Sequence, residues 1–151
     1  MHPNPAFRAE TRARNLGYAR DRGFGALSIN ADPAPLIAHV PFVLDDDGTS
    51  ADLHLVRSNP ISREITGPMP AVIAVTGPDG YISPDWYGAA DQVPTWNYVA
   101  VHLRGELVPL EAADLRAALD RLSAHFEAQL TPKPPGPPTR WTRARWIACC
   151  A

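Results

Sequence analysis

Ten residues constrain this chain more than any others. From Pro35 to Leu44 (PLIAHVPFVL), Leu36, Ala38, Val40, Phe42 and Leu44 fall on one face, with His39 and Pro41 on the other. A period of two belongs to a strand with one buried face, so the chain must build a sheet. Pro41 has no N–H to give, so the strand is expected to be an edge or to bulge there. The pattern recurs from Trp96 to Leu103. There Asn97, Val99, Val101 and Leu103 share one face, and Trp96, Tyr98, Ala100 and His102 the other.

Proline supports the same reading. Many of the 17 prolines sit where strands would start or stop, among them Pro33, Pro35, Pro60, Pro70, Pro84 and Pro94. Between them the pattern predicts a helix over 6–21, a short strand over 25–30 and a strand over 51–57. Asp45-Asp46-Asp47-Gly48 reads as a hairpin turn. It lacks the spaced ligands and closing Glu of a calcium loop. Asn59 before Pro60 is a helix start, giving a short helix over 60–65. AVIAVTG (71–77) reads as a buried strand, with GPDG turning after it. The clearest helix runs over 111–129, with Leu115, Ala118, Leu119, Leu122 and Phe126 on one stripe. This order argues for a small α+β, mainly β, antiparallel Greek-key-like barrel with peripheral helices.

Several function classes find no support. The GxSxG, HExxH and Cys-His nucleophile patterns are missing. The N-terminus has no basic and apolar leader, and no run of about 18 apolar residues would span a membrane. The only cysteines are Cys149 and Cys150; without further sulfur ligands they form no metal or disulfide framework. A cytoplasmic setting is expected. Net charge is −2, and without Arg140, Arg143 and Arg145 the balance is 11 basic to 16 acidic residues. A DNA reader shows a basic stripe or a helix-turn-helix. The one basic cluster, Arg8, Arg12, Arg14, Arg20 and Arg22, reads better as a solvated helix face, which makes direct DNA binding doubtful.

The segment Tyr81–Gly105 carries three Tyr, two Trp and His102 in 25 residues. Aromatics mixed with amide, hydroxyl and imidazole groups suit a flat, partly polar ligand; a half-buried strand behind an aromatic loop would look the same. Further pieces are the MHPNPAF start, AHVPF at 38–42, HLVRSNP at 54–60, GPDGYISPDWY at 77–87 and VPTWNYVAVHLRG at 93–105. In this order and spacing the chain resembles the PaiB-like FMN-binding negative transcriptional regulators, split-barrel flavoproteins related to pyridoxamine phosphate oxidase. His2 departs from the family's usual Tyr.

That resemblance implies a homodimer with FMN in a groove between two subunits. On it, His39, His54, Arg57, Ser58 and Asn59 are assigned to the phosphate and ribityl side, and Thr95, Trp96 and Asn97 to the ring side. Each histidine has a structural alternative, a hydrogen bond within the sheet. A zinc trio of His39, His54 and His102 has no motif spacing behind it. Redox chemistry would be the flavin's, with the protein orienting it. The expected function is an FMN-binding regulator without a DNA-reading motif of its own. The alternatives are a flavin-dependent oxidoreductase and a non-functional product of a frameshifted gene.

The frameshift alternative comes from the last stretch. Residues 1–130 read as an incomplete split-barrel domain, and 131–151 as an aberrant tail, with Trp141 and Trp146 among arginines. Shifting the codon frame there restores a family-like Trp and Asp pattern. The tail is therefore expected to be out of frame, the barrel C-terminally truncated, and FMN binding by this chain weak or absent.

Overall fold

A computed structural model of the chain describes residues 4–8, 10–88 and 91–130; the tail reading of 131–151 lies outside them. After a 3-10 turn (Pro5–Arg8) come α1 (Arg12–Arg22), β1 (Phe24–Ile29), β2 (Leu36–Leu44), β3 (Ala51–Leu53), α2 (Pro60–Glu64), β4 (Met69–Ile82), β5 (Thr95–Leu107) and α3 (Leu115–Glu127). The strands form one antiparallel sheet in the order β3-β2-β1-β4-β5. Three hairpin-linked strands followed by a fourth that returns beside the first is a Greek key. The fold is α+β, as the strand pattern predicted.

The expected first helix divides in two because Thr11 caps it. The Thr11 hydroxyl accepts from the Arg14 N–H at 3.2 Å, so the helix opens only after that residue. It closes at Gly23, whose φ of 53° suits a left-handed cap and whose N–H donates to the Ala19 carbonyl at 2.9 Å.

β2 behaves as its alternation demands. Ala38, Val40, Phe42 and Leu44 are buried, while Pro41 sets the length of its neighbour. The Phe42 N–H turns towards β1 and donates to the Gly23 carbonyl at 2.9 Å, so the nitrogen of Pro41 faces β3. Pairing with β3 stops one step earlier, at Phe42↔Leu53. The strand expected over 51–57 therefore ends at Leu53. The β2–β3 turn closes on itself: the Asp45 carboxylate accepts from the Thr49 N–H at 2.9 Å, the Ser50 N–H at 3.0 Å and the Ser50 hydroxyl at 2.7 Å.

β4, at 14 residues, is twice the expected length. GPDG does not reverse the chain. Pairing runs Thr76↔Ala100, then Asp79↔Tyr98, so Gly77 and Pro78 together face Val99. This is a β-bulge, a place where a proline without an N–H is tolerated. β4 ends only at Ile82, after which the Ser83 hydroxyl caps a 3-10 turn (Pro84–Trp86).

The core lies on one face of the sheet. Leu27, Ile29, Val40, Phe42, Ile73 and Val75 pack there with Ala19 of α1 and Ile61 of α2, and none of the described core residues is polar. α2 is short but anchored: the Asn59 side chain accepts from the Ile61 N–H at 2.9 Å, and Ile61 is fully buried. α3 begins at Leu115 rather than 111, buries the expected Ala118, Leu119 and Leu122, and is tied to β3 by Arg121–Asp52 at 2.7 Å. At the far end, Thr95 to Ala100 are exposed on both faces. The alternation expected from Trp96 to Leu103 therefore separates faces by register, while burial begins only at Val101. The outer halves of β4 and β5 form a ribbon that extends past the core.

Candidate functional site

The residues assigned to phosphate and ribityl binding sit around the β2–β3 edge. His39 is exposed on the outer face of β2, where its ring stacks with Phe24 (centroids 6.4 Å apart, planes at 20°). Arg57 and Ser58 are exposed in the turn before α2. The Asn59 side-chain oxygen is the α2 cap, which leaves its amide NH2 as the side-chain group for a ligand.

His54 lies under α3. It lines a small cavity of about 210 Å³ with Pro41, Leu119, Leu122, Phe126 and Glu127. Its Nδ1 is buried without a hydrogen-bond partner, and burial pushes the imidazole pKa below its ordinary range.

The ring-side residues are elsewhere. Thr95, Trp96 and Asn97 open β5 on the projecting ribbon, where Trp96 meets its cross-strand partner Tyr81 edge-to-face at 6.1 Å. With Trp86, Tyr87 and Tyr98 they form an exposed aromatic arm. One chain therefore does not gather the eight assigned residues in one place: Thr95, Trp96 and Asn97 lie on the ribbon, and the other five are spread along the β2–β3 side of the sheet.

Register reveals a relationship that strand patterns do not contain. His39 pairs with Ala26, Ala26 with Ala74, and Ala74 with His102. These four form one row across β2, β1, β4 and β5, on the face opposite the core. At 4.7–4.9 Å per strand the row spans about 14 Å. The two histidines thus stand too far apart to share a zinc ion, and no metal-binding cluster occurs among the described residues. In the next row, Ser28, Val72 and Arg104 lie side by side. His102 is not among the residues assigned from the sequence; its strand alternation marked the face, but only pairing names its neighbours.

The core-side cleft between α1, residues 48–55 and β5 is much larger, about 1880 Å³. Ligand pockets run to about 300–1,000 Å³. Leu27, Leu44, Leu53, Ile73, Val101 and Leu103 line it, so it is the open inner side of the sheet rather than a slot shaped for one small molecule.

Three of the basic residues of α1 are engaged in the fold. Arg12 donates to the Asp47 and Gly48 carbonyls, Arg20 to those of Asp45 and Asp46, and Arg14 to Glu10. Arg12 and Arg20 thus hold the acidic turn, which leaves fewer of the cluster's cations to face a phosphate backbone.

Comparison with known proteins bears on this geometry. Residues 1–146 match the family described as "Putative FMN-binding domain". The chain is 29% identical over 126 residues to the Protease synthase and sporulation protein PAI 2 of Bacillus subtilis (strain 168), covering 82% of this chain and 60% of that protein. The chain thus spans about three fifths of that relative's length. Its fold is similar to that of an FAD and heme binding protein from Mycobacterium smegmatis, with a TM-score of 0.60 and 20% identity over 79% of this chain and 55% of the other.

Proposed function

Since the chain belongs to the FMN-binding domain family, we propose that it binds FMN between two copies of itself and acts as a flavin-dependent regulator of the PaiB-like type. One observation carries this reading: a single chain holds the two halves of a flavin-binding set too far apart to close on one ligand. His39 stands three strands across the sheet from His102, about 14 Å away, and Asn97 lies five residues further along β5, about 17 Å. A second copy, offering its aromatic arm, supplies the missing half.

The residues present fit the cofactor. The phosphate needs a cation and hydroxyl donors, which Arg57 and Ser58 offer in an exposed turn. The ring needs an apolar-aromatic slot with a few polar contacts at its edge, the chemistry of Thr95, Trp96, Asn97 and Tyr98. FMN, when bound, supplies the redox chemistry. The chain's own groups anchor the phosphate, sandwich the ring and shield it from water.

Regulation in this reading runs through a partner or metabolite rather than DNA contact, because Arg12, Arg14 and Arg20 already have protein partners. The monomer is expected to bind FMN weakly, with affinity rising as it self-associates. Titration of FMN against protein concentration, read by fluorescence quenching and light scattering, tests this. Tight one-to-one binding by a well-folded monomer refutes the shared site, and no binding at any protein concentration refutes the FMN reading.

A further inference from the structure

We infer that the row His39–Ala26–Ala74–His102 on the outer face of the sheet is the seat of the flavin ring, with the ring lying over the two alanines and a histidine at either end. The inference rests on the FMN reading above and assigns Ala26, Ala74 and His102, which that reading does not use.

Four features point to it. First, the middle of the row is flat. Ala26 and Ala74 are direct cross-strand partners, each with one methyl group standing above the backbone, so a planar ligand can lie close to the sheet. Second, both ends of the row are walls with hydrogen-bonding edges. His39 is already held parallel to Phe24, and His102 closes the other end on β5. Third, the helices pack mainly on β2, β3 and β5, and Ala26 and Ala74 remain partly exposed. Fourth, charge is suitably placed. Arg104 lies beside His102 in the adjacent row, exposed and in no ion pair among the described residues. Glu106, two residues further along, is the one acid on that face of β5. A ring edge that gains negative charge on reduction would meet His102 and Arg104 there, with the partner copy's aromatic arm closing over the ring.

The row and the phosphate turn make different demands on a ligand, and the test uses that difference. The 151-residue chain is titrated with FMN and with riboflavin, which lacks the phosphate, and flavin fluorescence quenching is followed. Ala74→Leu adds bulk only above the row, on the solvent side. It is expected to weaken both ligands at least tenfold while far-UV circular dichroism stays unchanged. His102→Ala should also weaken both, with His102→Gln recovering part of the loss. Arg57→Ala should weaken FMN and leave riboflavin unaffected. Ala26→Leu stands in should Ala74→Leu not fold. Wild-type binding that both leucine variants leave intact overturns the inference and keeps the FMN reading. Absence of quenching in the wild type up to millimolar flavin removes both.

Discussion

The hydroxyl of Tyr18 occupies the space that a side chain on Gly77 would need. α1 reaches the sheet at the β4 bulge, where two residues of one strand face a single Val99 on the other. The missing side chain at Gly77 is what lets helix and bulge approach, and it fixes where the aromatic arm leaves the core. Gly77→Ala is expected to cost about 1–3 kcal/mol by overpacking. In a Tyr18→Ala background the same change should cost less than half as much. Urea denaturation of the four proteins checks this; strict additivity would show that the two residues do not compete for space.

His54 makes stability depend on pH. Burial disfavours its charged form in the folded protein, so the folded pKa lies below the ordinary value near 6.5. The folded state then binds fewer protons than the unfolded one. Stability is full above that ordinary value and falls as pH drops towards the folded pKa. Urea midpoints measured between pH 7.5 and 5 should decline, roughly, and His54→Leu should flatten the decline. A variant with the wild-type slope would assign the effect to other groups.

Asp45 should remain ionised to unusually low pH. Its carboxyl is held well below the carboxylate range, first by the Ser50 hydroxyl, against opposing desolvation, and then by the N–H groups of Ser50 and Thr49 and the Thr49 hydroxyl. Ser50→Ala removes the largest of these and is expected to move the titration upward. Carbon-detected NMR of the Asp45 carboxyl reads this directly, and an unmoved titration would remove the hydroxyl from that role.

Asn59 is expected to act on stability more than on ligand affinity. Asn59→Ala removes the α2 cap and should cost about 0.5–2 kcal/mol, whereas Asn59→Asp retains an acceptor and most of the stability. Thermal melts with and without flavin distinguish the two roles. A folded, stable Asn59→Ala protein with lost flavin affinity would place the side chain in the site after all.

Arg57 is the proposed phosphate anchor. A charge-assisted hydrogen bond is worth about 1.5–3 kcal/mol, so Arg57→Ala should weaken FMN by roughly tenfold to a hundredfold. Unchanged FMN affinity in that variant, measured by fluorescence quenching, would remove Arg57 from the site.

Some parts of the fold were legible before any pairing was known. The face of β2, the Asn59-Pro60 start of α2 and the buried stripe of α3 follow from neighbours two, three or four residues apart. Other parts misled. GPDG has turn chemistry, yet a bulge absorbs it, because β5 is long enough to pair on both sides of it. Residues 54–57 alternate like a strand, yet pairing ends at Leu53, because Pro41 offers β3 no N–H. The candidate site was legible only as residue types. His39, His54 and His102 were visible as chemistry, but their separation was not.

By itself, then, the sequence determined the period, the caps and the choice of buried face, because each depends on steric and hydrogen-bonding preferences within a few residues. Only the tertiary structure decided which strands became neighbours and in what register. That choice joins residues far apart in the chain through inter-strand hydrogen bonds and shared core burial, which no local pattern encodes. It placed Ala26 and Ala74 between His39 and His102, drew Arg12 and Arg20 of α1 onto the acidic turn, and left Trp96 on an arm beyond the core.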